Sequence, residues 1–414
     1  MLIPPRLSRA DCERLDLDDP LAACRARFDL PAGDIYLDGN SLGAMPAHIP
    51  ERMERVLRHE WAHGLIRSWN DAQWYPAPQR TGARIARLVG AEDDEVIVAD
   101  STSINLFKVL VAATRMRPGR SLILAEQGNF PTDAYVASGV ARLTGCEVRC
   151  VEPDEVLDAL SEEVAILSLT HVNYKTGRRY DMAAITARAH EVGALVVWDL
   201  CHSAGAMPID LNGCAADFAV GCGYKYLNGG PGAPAFVFVA RRHIAQVDQP
   251  LCGWHGHARP FDFSPEYHAH PSIDRMLVGT APQLGVLALE AALEVFDGVD
   301  LHRLRSKSMA LGDLFIRLCD EQLAGLGVEL RSPREAEARG SQVSLAHGNA
   351  YAVMQALIAR GVIGDFRAPD ILRFGFAPLY IRFVDIWDSV QALREVLVTG
   401  EWDQPAFTTR KSVT

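Results

Sequence analysis

From about residue 94 onward, short apolar and β-branched runs alternate with stretches whose apolar positions recur every three or four residues. Glu95–Ala99, Ser121–Ala125, Glu147–Val151, Val164–Thr170, Leu195–Trp198, Phe218–Val220 and Ala235–Val239 read as strands. Ile104–Met116, Asp133–Arg142, Asp154–Leu160 and Met182–Glu191 read as helices between them. Runs such as Ala194-Leu195-Val196-Val197-Trp198 carry no polar alternation, so both faces of such a strand must be covered. Strands of that kind interleaved with helices predict an α/β fold, with a large domain on a mostly parallel seven-stranded sheet.

The pattern changes after Phe296. Leu301–Leu323 predicts a long amphipathic helix, Val328–Leu330, Gln342–Leu345 and Leu372–Phe376 the strands of a smaller sheet, and Tyr351–Arg360 and Val384–Leu397 two further helices. The expected organisation is an N-terminal segment (1–65) packing with a small α+β domain (297–414), and a large domain (66–296) between them. The tail from Thr408 is expected to fray.

At 414 residues and 49% hydrophobic, the chain can bury a large core divided into domains. Its net charge of −11 supplies no positive field for nucleic acid or an anionic membrane. The opening Met1–Ser8 lacks the apolar core of a signal peptide, and no run is long and apolar enough to span a bilayer, so a cytoplasmic location is expected. Nine cysteines without a Cys-x-x-Cys pair fit reduced thiols better than a disulfide framework. Trp254-His255-Gly256-His257 and Tyr267-His268-Ala269-His270 contain His-x-His, but nothing completes a spaced ligand set, and no metal is expected.

The candidate chemistry centres on Lys225, in Gly221-Cys222-Gly223-Tyr224-Lys225-Tyr226-Leu227-Asn228-Gly229-Gly230-Pro231-Gly232. Aromatic and glycine neighbours strip water from an ammonium and favour the free amine that attacks a carbonyl. Asp199 ends an apolar run, a place that faces the ligand crevice in open α/β sheets. An acid followed by such a lysine suggests pyridoxal phosphate, the carboxylate on the ring nitrogen and the amine on the aldehyde. Taken singly, Asp199 is equally a helix cap and Lys225 a solvated loop residue. Asp100-Ser101-Thr102-Ser103 stands between a strand and a helix, so Thr102 and Ser103 are either phosphate contacts or plain caps. Phe130 and Asp133 open the following helix, as a ring-stacking aromatic and an acid or as staple and cap. His202 could support Asp199 or the ring oxygen, and Tyr224 offers a phenol for phosphate or proton transfer. Arg373 lies among apolar neighbours and needs a carboxylate, either the α-carboxylate of a substrate or a structural acid.

Together, Ile35-Tyr36-Leu37-Asp38-Gly39-Asn40-Ser41-Leu42-Gly43, Asn129-Phe130-Pro131-Thr132-Asp133, Trp198-Asp199-Leu200-Cys201-His202-Ser203-Ala204-Gly205, the lysine motif, and Arg373-Phe374-Gly375-Phe376-Ala377-Pro378-Leu379-Tyr380 resemble the kynureninase family, in the family's order. The resemblance implies a fold-type I pyridoxal-phosphate enzyme, a homodimer with shared active sites. The position matching Lys225 holds the aldehyde and that matching Asp199 the ring nitrogen, while Phe130 matches the stacking aromatic. Thr102, Ser103 and Tyr224 match the phosphate end, and Asp133 and His202 match further cofactor-lining positions. Trp254 and Thr280 match cofactor contacts from the neighbouring subunit, Arg373 matches the carboxylate arginine, and Trp69 and the His255 region are candidates for the aryl ring. The implied reaction is hydrolysis of L-kynurenine to anthranilate and L-alanine in tryptophan catabolism, with 3-hydroxykynurenine as the alternative substrate. A cysteine desulfurase or aminotransferase of the same fold is the rival reading, as is a cofactor-binding protein without turnover. A desulfurase needs a cysteine on a mobile loop, and Cys319 in an amphipathic helix is a poor candidate.

Overall fold

The structure, a computed structural model, describes residues 7–410. Its contacts form two units: one holds the chain through Ala47, Val172–Arg179 and the chain from Val295, the other His48–His171 and Tyr180–Glu294. The division falls at residue 47, not at 65. Helix α2 (Ile49–Arg55) packs against α7 (Gln283–Ala292), and the His48 imidazole lies 2.9 Å from the Ala291 carbonyl, so 48–65 belong with the larger unit.

The smaller unit opens with α1 (Arg9–Leu17), whose Ser8 and Asp11 form a reciprocal capping box. Strand β1 (Ile35–Tyr36) pairs in parallel with Val362–Ile363. Its four-stranded antiparallel sheet contains Glu329–Leu330, Gln342–Ala346, Asp365–Arg367 and Ile371–Gly375. Helices Leu301–Gln322, Ala350–Ala359 and Phe383–Thr399 complete it. The pair Ile35–Tyr36 with Val362–Ile363 and the strand Asp365–Arg367 are too short to show a period in the sequence.

In the larger unit, strands β2 (Val96–Val98), β3 (Leu122–Glu126), β4 (Glu147–Val151), β5 (Val164–Thr170), β6 (Leu195–Asp199), β7 (Phe218–Gly221) and β8 (Phe236–Val239) form one sheet in the order β2-β8-β7-β6-β5-β3-β4. Only β8 runs against its neighbours. Every residue of β5, β6 and β7 is buried, as their unbroken apolar runs require. Helices α3 (Ala77–Val89), α4 (Thr102–Arg115), α5 (Pro131–Thr144) and α6 (Met182–Glu191) connect or flank the strands. The helix expected over Asp154–Leu160 is absent. A single 3₁₀ turn over Pro153–Glu155 and further turns carry the chain to β5, burying Val156 and Leu160 without a helical ladder.

The parallel strands set the site. In register, Thr170 of β5 lies beside Asp199 of β6, and Asp199 beside Val220 of β7. The carboxyl ends of β5, β6 and β7 therefore share one edge, the edge at which such sheets bind ligands. Residues 1–6, including most of the opening segment, and 411–414 of the tail lie outside the described residues. Up to Arg410 the tail is tied down, not frayed: the Tyr351 hydroxyl donates to the Thr409 carbonyl at 3.2 Å, and the Arg410 guanidinium stands over the Tyr351 and Phe366 rings. Among the described residues no helix is long and apolar enough to cross a membrane, and no three His, Cys, Asp or Glu side chains gather as metal ligands.

Candidate active site

Lys225 lies in the loop between β7 and β8, and the glycines around it exist for close approach. A Cβ on Gly223 would come 2.4 Å from the Pro234 carbonyl oxygen, and one on Gly229 would come 2.8 Å from that of Gly223. This tight loop returns Lys225 to the carboxyl edge of the sheet, where its Nζ is 3.0 Å from Nε2 of His202. His202 therefore meets the lysine amine directly, where the sequence pointed it at Asp199 or the ring oxygen.

Asp199, the last residue of β6, is buried, and its Oδ1 accepts the Cys201 N–H at 2.7 Å. Asp133, in the first turn of α5, accepts from the Asn129 amide at 2.9 Å and faces Asp199. Burial, then the charge of Asp199, pushes the Asp133 carboxyl well above the usual carboxylate range, with Asn129 and Lys225 opposing. Two carboxyls side by side leave room for a further positive charge. A protonated ring nitrogen placed here would supply it, so the residues present fit pyridoxal phosphate.

Helix α4 starts at the same edge. Its N-cap is Ser101, whose Oγ accepts the Ile104 N–H, which leaves Thr102 and Ser103 in the first turn with the unpaired N–H groups of the helix end. Thr102 Oγ1 is 3.7 Å from Cys201 Sγ, so the helix end and the residue two after Asp199 meet. Phe130 is the N-cap of α5 and is 47% exposed. Tyr224 is half-buried beside Lys225, whose Nζ is 5.9 Å from its ring centre. Burial, then Cys222, holds the Tyr224 phenol well above its ordinary value, so it carries its proton at any working pH.

Trp254 stacks on His255 at 4.8 Å and Tyr75 lies 5.1 Å from the same imidazole, while Trp254 and Thr280 both remain exposed. Trp69 packs edge-on against Trp74.

In the smaller unit, Arg373 is 1% exposed. Antiparallel register places Asp365 directly across from it, and Nε donates to Asp365 Oδ1 at 2.8 Å while Nη2 donates to Oδ2. Nη2 also donates to Ser41 Oγ at 2.7 Å and Nη1 to the Tyr174 carbonyl at 2.8 Å. A structural acid therefore does sit on this arginine, taking its Nε–H and one Nη2–H.

Sequence reasoning missed Thr170, Cys201 and Cys222 at the sheet edge, and Ser41 and Asp365 around Arg373. Thr170, at the end of an apolar run, carried the same signal as Asp199; no local signal marks Asp365.

The sequence profile described as the kynureninase C-terminal domain matches residues 304–393. The kynureninase of Burkholderia mallei (strain SAVP1) is 52% identical over 98% of this chain and the whole of its own length. Among solved structures, the apo cysteine desulfurase of Thermococcus onnurineus NA1 superposes with a TM-score of 0.79 at 18% identity, over 91% of this chain and 98% of its own. C-DES, solved with glycine covalently linked to its pyridoxal-phosphate cofactor, gives 0.78 at 16% identity, over 90% and 99%. These likenesses at low identity agree with the α/β fold of this chain, and the near-full-length identity establishes its family. The chain belongs to the kynureninase family.

Proposed function

We propose that this chain is a pyridoxal-phosphate-dependent hydrolase that cleaves the Cβ–Cγ bond of L-kynurenine with one water, releasing anthranilate and L-alanine. The observation that carries the reading is the convergence of Lys225, His202, Asp199 and Asp133 at the carboxyl edge of the large sheet, in a chain of this family. When bound, the cofactor supplies an aldehyde that captures the substrate amine and a ring that absorbs the charge left at Cα. Asp199 holds the ring nitrogen protonated, with Asp133 beside it, and Phe130 covers the ring face. The first turn of α4, through Thr102 and Ser103, and the Tyr224 hydroxyl take the phosphate. Lys225 Nζ removes the α-proton, kept in place by His202. Tyr224, held protonated beside Lys225, donates toward the γ-carbonyl oxygen as water adds there. Arg373 takes the α-carboxylate, and Trp69 and the His255 region contact the aryl ring.

The working form is a homodimer in the cytoplasm, with Trp254 and Thr280 serving the neighbour's cofactor. Their exposure in the single chain supports this, as does an apolar stretch in which Leu57, Trp61, Leu65 and Ile66 are all exposed. All nine cysteines are free, in keeping with a reducing compartment. Cys319, the cysteine weighed for a desulfurase, is buried in its helix, and burial pushes its thiol up, away from a thiolate.

The test is the absorbance spectrum of the purified protein, then L-kynurenine addition with anthranilate fluorescence as readout, alongside Lys225→Ala. A yellow protein that releases anthranilate, with turnover in the variant down by at least about 10³-fold, is expected. A colourless protein, or a yellow one that leaves both kynurenine and 3-hydroxykynurenine intact, would overturn the reading.

A further inference from the structure

Two arginines and two aspartates gather in the smaller unit, and they are unequally paired. Asp365 receives Nε and Nη2 of Arg373, Nη2 of Arg367 and the Ser41 hydroxyl. Asp38, three residues before Ser41, receives no arginine. Its Oδ1 is buried and has no hydrogen-bond partner among the described residues. Of the five N–H groups of Arg373, Nε is used once, Nη2 twice and Nη1 once, which leaves one proton on Nη1 for a ligand. The buried Nε–H of Arg367 also has no partner among the described residues.

The charges decide what this cluster can accept. With both aspartates ionised, two negative charges already balance two guanidiniums, and a carboxylate arriving at Arg373 would be a third. With Asp38 protonated the cluster carries one net positive charge, which a single carboxylate neutralises. The groups facing Asp38 agree with that state. Burial and the Asp365 charge push its carboxyl up to about 7, against the opposing pull of Arg373, Ser41 and Arg367. The Tyr36 phenol on β1, pushed upward by burial and by Asp38 and Asp365, stays neutral and offers no compensating charge.

We infer that Asp38 is a specificity-determining residue of the substrate-carboxylate site: it must hold a proton for Arg373 to accept a carboxylate, and binding of the anion takes a proton up. This rests on the proposed role of Arg373. The sign follows from the protonated form being the binding form: affinity for a carboxylate is full below about pH 7 and falls as pH rises through it.

The probe is 4-(2-aminophenyl)-4-oxobutanoate, kynurenine with its α-amine replaced by hydrogen, which keeps the carboxylate and cannot react with the cofactor aldehyde. Its dissociation constant from the holoenzyme is measured between pH 6 and 8.5 for the wild type and Asp38→Asn. The wild-type constant is expected to rise by up to about tenfold per pH unit above 7, and that of the variant to stay within about twofold across the range. An unchanged slope in a yellow, folded Asp38→Asn overturns the inference. Should that variant fail to fold, calorimetry of the wild type at pH 8 in two buffers of different ionisation enthalpy gives the answer: uptake approaching one proton per site supports it, and no uptake overturns it. Turnover of L-kynurenine by the same preparation separates the two claims. Its absence sinks the functional reading, whereas turnover with no probe binding, or with probe binding indifferent to pH, sinks this inference alone.

Discussion

The turn that leads into α4 depends on one buried lysine. Asp100 precedes the N-cap with φ of 46°, in the left-handed region that non-glycine residues rarely occupy. Lys108, fully buried two turns into the helix, reaches back to Asp100 Oδ2 at 2.7 Å and across to the Met276 carbonyl at 2.6 Å. Burial draws its ammonium down in pKa, and Asp100 opposes that. Lys108→Met is expected to cost about 3 kcal/mol in urea unfolding, because it leaves a partly buried carboxylate uncompensated. The double variant with Asp100→Asn should recover part of that loss, and equal losses in the single and double variants would show that the pair is not what holds the turn. In the sequence Lys108 is one polar position in an apolar helix, and nothing nearby tells which acid it meets. Arg373 was more legible: its apolar neighbours announced a buried guanidinium, yet its protein partner stayed unnamed until register put Asp365 opposite it.

Among the elements, Asp217 at the entrance to β7 ties four pieces of chain together. It accepts from the Val196 N–H of β6, from Arg242, and from the imidazoles of His190 in α6 and His243, each at 2.7 or 2.8 Å. Burial alone would raise its carboxyl, but the hydrogen bonds from His190, His243 and Val196 win and hold it well below the ordinary range. A depressed folded-state pKa means that stability is fully present above about pH 4, the unfolded carboxylate value, and is lost as pH falls further. Urea midpoints between pH 3 and 6 should therefore drop below pH 4 more steeply in the wild type than in Asp217→Asn, which itself should lose about 3 kcal/mol at neutral pH. Parallel slopes would place the acid sensitivity elsewhere. At this scale the sequence served well wherever an element buried one continuous apolar run, as in β5, β6 and β7. It failed over Asp154–Leu160, where two buried side chains four apart imitate a helical period that the backbone does not adopt.

For the molecule as a whole, the exposed apolar stretch at Leu57–Ile66 and the exposed Trp254 predict that light scattering will find a particle of twice the chain mass of 45.3 kDa. Ile66, 76% exposed in the single chain, marks that face: Ile66→Asp should shift the population toward monomer by at least about tenfold in dissociation constant while leaving the chain folded by circular dichroism. A wild-type monomer would remove the dimer from the proposal. The sequence by itself determined the α/β class, the seven strands of the large sheet and the order of aspartate and lysine along it, because side-chain periodicity and apolar runs act locally on the backbone. Only the tertiary structure decided that His202 holds Lys225, that Asp365 occupies Arg373 and that Asp38 is left without an arginine. Those pairings join His202 to Lys225 across 23 positions, and the cluster around Arg373 also draws in Ser41, whose hydroxyl reaches Asp365 across 324 positions of the chain. They are fixed by strand register and by which loops share a sheet edge, and neither is written in any local stretch of the chain.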